Sequence, residues 1–126
     1  MNRKEKIMKK ILIVDDSAFT RKIHKQIVVG EGYEVVEAAS GNEAIEVYQV
    51  ERPDGTIMDL LMPDLDGMEV AKQILGMDPD AKIIICSTDR QKYRRQDADA
   101  IGAKAFLTKP VNTNELKTVL EKVLGT

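Results

Sequence analysis

Four short apolar runs in this chain each lead into side chains that can do chemistry. Ile11 to Val14 is followed by Asp15 and Asp16, and Thr56 to Met58 by Asp59. Ile83 to Cys86 is followed by Ser87 and Thr88, and Ala105 to Leu107 leads through Thr108 to Lys109 and Pro110. If these runs are parallel strands, the set converges on one sheet edge, because ligands of open α/β sheets sit beyond the carboxyl ends of the strands. Two carboxylates about 4 Å apart repel by roughly 4 kcal/mol at an effective dielectric of about 20, so the cluster calls for a cation. An all-oxygen donor set suits Mg2+ or Mn2+, and no histidine or cysteine stands beside these aspartates to favour zinc. Magnesium commonly fills part of its shell from a phosphate. The set therefore reads as a place where metal and phosphoryl group meet, with one carboxylate able to act as nucleophile. Singly, each aspartate reads as a helix cap or a solvated loop end; only their joint occurrence points to a site.

The elements that must position this set are legible in outline. The four runs and a fifth at Val35 and Val36 are spaced too widely for hairpins and suitably for strand–helix–strand units. Ile11 to Val14 and Ile83 to Cys86 are continuous and rich in β-branched residues, as strands covered on both faces are. Between them, Ser17 is placed to cap a helix carrying Phe19, Ile23 and Ile27 on one face. Ser40 with Glu43 forms a capping box, Asp66 caps a helix stopped by Gly76 and Pro79, and Asn112 with Glu115 opens the last one. The segment Gln91 to Ile101 differs: its apolar anchors are sparse, and Arg90, Lys92, Arg94 and Arg95 crowd its start, which reads as a solvated face or a surface for an acidic partner. The alternation predicts a three-layer α/β domain.

Composition narrows the class. The chain has 126 residues, a formal net charge of -2, 43% hydrophobic and 32% charged residues. That size fits one domain able to bury a core without disulfides or a structural metal. The charge balance argues against direct nucleic-acid binding, and no apolar run is long enough for membrane insertion. A single cysteine, Cys86, reads as a core residue in a reducing compartment, and the basic start lacks the features of a signal peptide. The expected location is cytoplasmic, with residues 1–8 a disordered basic lead and 9–125 the folded domain. His24, beside Ile23 on its helix, reads as a surface histidine.

Taken in order, four stretches resemble the receiver domain of two-component response regulators, in particular the stand-alone chemotaxis receivers. They are Ile11 to Ser17, Met58 to Met68, Ile83 to Ser87 and Gly102 to Pro110, and the resemblance spans about Lys9 to Leu124. It implies a flavodoxin-like fold with a five-stranded parallel sheet in the order 2-1-3-4-5, flanked by five helices. It also implies that Asp59 is the phosphoacceptor, with Asp15, Asp16, Asp59 and the backbone carbonyl of Leu61 as metal ligands. Ser87 and Lys109 would bind the phosphoryl group, helped by a cis bond before Pro110, and Ser87 with Phe106 would form the switch. On its plain reading Phe106 is a packed strand residue.

The same resemblance implies a switch rather than an enzyme, with at most slow self-dephosphorylation. A histidine kinase or phosphotransfer protein would be the donor. A downstream protein would be the target, since no output domain follows Leu124, and the state would be a monomer or a weak phosphorylation-dependent dimer. Leu61 and Asp89 occupy the positions that tune hydrolysis, and an apolar Leu61 predicts slow loss of the phosphate. Thr88 stands where the family usually has alanine. Three other functions fit less well. An aspartate-dependent phosphohydrolase of the haloacid dehalogenase type would want Asp-x-Asp where this chain has Asp15-Asp16-Ser17. A flavin binder would want a Ser/Thr/Gly phosphate loop there. A phosphorylation-independent adaptor would tend to lose the acidic and lysine positions, all of which are present.

Overall fold

The computed structural model describes residues 8–88 and 92–125. Asp89 and all but Met8 of the expected lead lie outside the described residues. Ten elements alternate along the chain: β1 (Lys10–Val14), α1 (Ala18–Gly30), β2 (Glu34–Ala38), α2 (Gly41–Glu51), β3 (Gly55–Met58), α3 (Gly67–Met77), β4 (Ile83–Ser87), α4 (Lys92–Ile101), β5 (Ala105–Thr108) and α5 (Thr113–Leu124). The strands form one parallel sheet in the order β2-β1-β3-β4-β5. The expected fold class holds.

Why both faces are covered follows from the alternation of side chains along each strand. Ile11 and Ile13 of β1, with Ile57, Ile84, Cys86 and Leu107, pack on Val28 of α1 and on Leu116, Leu120 and Leu124 of α5. Leu12 and Val14, with Met58, Ile83, Ile85 and Phe106, pack on Ala44, Tyr48, Val70, Ala71, Ile74 and Ala98 of the three remaining helices. Two cores therefore share one sheet, and every residue of β4 is buried.

Helix starts follow the expected caps. The Ser17, Ser40, Asp66 and Asn112 side chains accept the N–H groups of Thr20, Glu43, Met68 and Glu115. The second half of the capping box is displaced by one residue, since Glu43 Oε1 accepts from Ala39 N–H at 2.6 Å. α3 ends between the two expected stops, running one residue past Gly76 to Met77 with its cap at Asp78, directly before Pro79. The face expected for α1 is corrected in part: Ile27 packs against the core as expected, but its two partners do not. Phe19 is 73% exposed and Ile23 40%, whereas His24 and Val28 are buried. The surface reading of His24 is corrected with it.

Candidate functional site

The sheet register builds the site. Val14 pairs with Met58 across β1 and β3, so Asp15 and Asp59 leave adjacent strands at the same level. Their backbones are fixed there: Asp15 N–H donates to Ala38 O at 3.1 Å and Asp59 N–H to Val14 O at 3.0 Å. On the other side Ser87 pairs with Thr108, and Lys109 N–H donates to Ser87 O at 2.9 Å. The point where strand order reverses, between β1 and β3, thus holds Asp15 and Asp59, with Ser87 and Lys109 next along the edge.

Carboxylate oxygens of Asp15, Asp16 and Asp59 all lie within 4.8 Å of one another. Asp15 and Asp59 are buried and Asp16 is exposed. Lys109 reaches into the cluster, with Nζ 2.5 Å from Asp15 Oδ2 and 3.4 Å from Asp59 Oδ1. Burial pushes the Asp59 carboxyl above the usual carboxylate range; the charge of Asp15 adds to this and Lys109 opposes it. Burial disfavours the Lys109 ammonium, but its hydrogen bond to Asp15 and the charges of Asp59 and Asp15 outweigh that and raise its pKa. The ammonium is thereby kept charged where it balances two buried carboxylates.

Surrounding contacts hold the aspartates in place. Ser17 N–H donates to Asp15 Oδ1 at 2.9 Å, and Arg21 Nη1 donates to the Asp15 carbonyl at 2.6 Å while its Nε pairs with Glu37. Leu61 N–H lies 3.4 Å from Asp59 Oδ1, and the Leu61 residue is 52% exposed at the mouth of the loop. Gly67 is required by close approach: a Cβ there would lie 2.0 Å from the Asp59 carbonyl oxygen. The peptide bond between Lys109 and Pro110 is cis, as expected. Phe106 is buried, and the Arg95 guanidinium lies over its ring, 4.7 Å from the centroid.

A groove of about 380 Å³ opens beside the cluster, lined by Phe19, Ile23, His24, Thr88, Lys109 and Pro110 among others. Arg21, His24 and Asp64 were not singled out for these roles from sequence. Asp64 accepts the N–H groups of Gly41 and Asn42 at 3.0 and 2.9 Å, tying the loop after β3 to the start of α2. Such tertiary contacts have no signature in local spacing.

The fold and this edge define a class: α/β domains with an acidic pocket typical of phosphoacceptor sites. The family model for the response regulator receiver domain matches residues 11–121. The chain is 43% identical over 116 residues to the chemotaxis protein CheY of Thermotoga maritima, covering 91% of this chain and 97% of that one. Among solved structures, a CheX–CheY–BeF3–Mg2+ complex from Borrelia burgdorferi superposes with a TM-score of 0.88 at 32% identity, over 91% of this chain and 88% of that one. The response regulator TrrA of Thermotoga maritima, in complex with Mg2+ and beryllium fluoride, gives 0.85 at 36% identity, over 93% and 100%. The chain belongs to the response regulator receiver family and is CheY-like. Domains of this family are signalling switches rather than enzymes. No helix among the described residues is long and apolar enough to cross a membrane.

Proposed function

We propose that this chain is a single-domain response regulator that accepts a phosphoryl group on Asp59 and passes the signal to a partner protein. The observation that supports this best is the meeting of Asp15, Asp16 and Asp59 with the Lys109 ammonium at the switch point of the sheet. In transfer, an Asp59 carboxylate oxygen forms a bond to phosphorus as the bond to a phosphohistidine nitrogen of the donor breaks, the electron pair of that bond staying on the nitrogen so that the donor leaves as a neutral imidazole protonated on its other nitrogen. Lys109 offers a positive charge to the phosphoryl oxygens, and Ser87 offers a hydroxyl hydrogen bond.

Asp15, Asp16 and Asp59, with the Leu61 carbonyl, would hold Mg2+ or Mn2+, and the acidic oxygen-only donor set fits a hard cation. When bound, the metal neutralises charge on the carboxylates and on the incoming phosphoryl group. Relatives captured with magnesium and beryllium fluoride support the same assignment.

The output in this reading is the α4, β5 and α5 face. Ser87 is drawn toward the phosphoryl oxygens, Phe106 answers on β5, and α4 shifts with it. The donor is a histidine kinase or phosphotransfer protein, and Leu61 and Asp89 set the lifetime of the phosphate. The test is mass spectrometry after incubation with acetyl phosphate and Mg2+. Addition of one phosphoryl group, lost in Asp59→Asn and without the metal, is the expected result. No addition, or continuous turnover of a phosphate ester, overturns the reading, the latter in favour of a hydrolase.

A further inference from the structure

Two arginines at the start of α4, Arg94 half-buried and Arg95 exposed, are engaged with other elements. Arg94 Nη2 lies 2.9 Å from both carboxylate oxygens of Asp66, the residue that caps α3. Its side chain is only 16% exposed. Arg95 turns to the other side. Its guanidinium lies 4.7 Å from the Phe106 ring centroid, and Nη1 donates to the Phe106 carbonyl at 3.2 Å. Adjacent residues of one helix thus grip two different elements.

These contacts matter because α4 has little else to hold it. Its sequence KYRRQDADAI offers few apolar side chains; among the described residues Ala98 is buried in the core and Ile101 packs against it at the end of the helix. A methyl group cannot fix a helix rotationally, whereas a guanidinium stacked on a ring and bonded to the carbonyl of the same residue can. The two grips also connect to the acidic cluster. Asp66 precedes Gly67, whose N–H donates to Leu60 O at 2.9 Å and whose Cα packs on the Asp59 carbonyl. Phe106 lies three residues before Lys109 on the strand that delivers the ammonium.

We propose that Arg94 and Arg95 form a two-way clamp joining the phosphoacceptor loop to β5, with Arg95 as the positioning residue that holds the Phe106 ring inward. The proposal rests on the phosphoacceptor reading above. In the unmodified protein the clamp holds the ring buried, which biases the Ser87–Phe106 switch toward its phosphoryl-bound arrangement. Arg95 therefore favours acceptance of the phosphoryl group without touching it.

The experiment uses beryllofluoride with Mg2+ as the probe, together with hydrogen exchange across α4 and β5. Arg95→Ala is expected to weaken beryllofluoride binding by about three- to tenfold, the range a cation–π contact with a hydrogen bond commands. Exchange in 105–108 is expected to accelerate with little change in Tm. Arg95→Lys, which keeps a cation over the ring but loses the planar fork, is expected to recover part of the affinity. In a double-mutant cycle, Arg95→Ala is expected to cost clearly less once Phe106 is alanine, only its bond to the residue's backbone carbonyl being left to lose. Additive losses, or unchanged affinity and exchange in Arg95→Ala, overturn the clamp. If the wild-type protein takes up no beryllofluoride, or Asp59→Asn takes it up equally, the phosphoacceptor reading fails instead. The clamp is then decided by exchange alone, and unchanged protection of 105–108 in Arg95→Ala overturns it.

Discussion

Lys109 is bonded to Asp15 more closely than to Asp59: its Nζ lies 2.5 Å from Asp15 Oδ2 and 3.4 Å from Asp59 Oδ1. One ammonium therefore serves two buried carboxylates, and Asp59 receives the weaker share. Burial raises the Asp59 pKa, Lys109 only partly offsetting it and the Asp15 charge adding to it. A carboxyl whose folded pKa is raised stabilises the fold below the unfolded value of about 3.9, and this is lost as pH rises through the folded value. At neutral pH, ionised Asp59 is a liability. Asp59→Asn is expected to raise Tm at about pH 7 in the absence of divalent cations, with the gap closing toward about pH 4. Added Mg2+ is expected to stabilise the wild type more than the variant. Thermal melts with and without metal check this, and a variant less stable than wild type without Mg2+ contradicts it.

His24 is 3% exposed, and its pKa is lowered, first by burial and then by the Lys109 charge, with Asp15 opposing. Its folded pKa lies below the unfolded value of about 6.5, so its contribution is complete above that pH and declines as pH falls through the window beneath it. His24→Leu, an apolar replacement of similar bulk, is expected to flatten the loss of stability as pH falls below about 6.5. Urea midpoints across that range provide the measurement. An unchanged slope would place the sensitivity elsewhere.

Gly67 has no room for a side chain. A Cβ would fall 2.0 Å from the Asp59 carbonyl and 2.8 Å from Leu60 Cα, both backbone atoms that cannot turn aside. Gly67→Ala is expected to cost about 2 kcal/mol or more. Because the strain falls on Asp59 itself, phosphorylation by acetyl phosphate should drop further than the loss of folded protein explains. Denaturant unfolding combined with labelling of the folded fraction separates the two effects.

Leu61 is half exposed beside the acidic cluster and presents no group that could orient water. Within the proposed function, Leu61→Asn is expected to shorten the life of the phosphorylated state by a factor on the order of several-fold. Following the decay of phosphorylated protein by mass spectrometry checks this. A lifetime equal to or longer than wild type rules the assignment out.

Strand runs and helix caps were readable because each rests on neighbours in sequence. The continuous Ile83 to Cys86 run is buried throughout, and Ser17, Asp66 and Asn112 cap the helices they precede. The acidic cluster was readable because strand ends are local and a parallel sheet brings them together. What escaped depends on contacts between distant segments. Phe19 and Ile23 look like core residues by spacing, but they are exposed, and His24 and Val28 take the buried positions of α1. Asp64 caps α2 from 23 residues away. Arg94 and Arg95 look like a solvated charge run, yet each has a partner on another element, Asp66 and Phe106.

The sheet order carries a practical consequence for handling the protein. All the strands bearing reactive side chains, β1, β3, β4 and β5, are contiguous, while β2 closes the far edge without contributing one. Val50 on the adjoining α2 is 80% exposed. This flank is the natural handle of the molecule: a fluorophore or surface tether placed there leaves the reactive edge and both neighbours of β3 untouched.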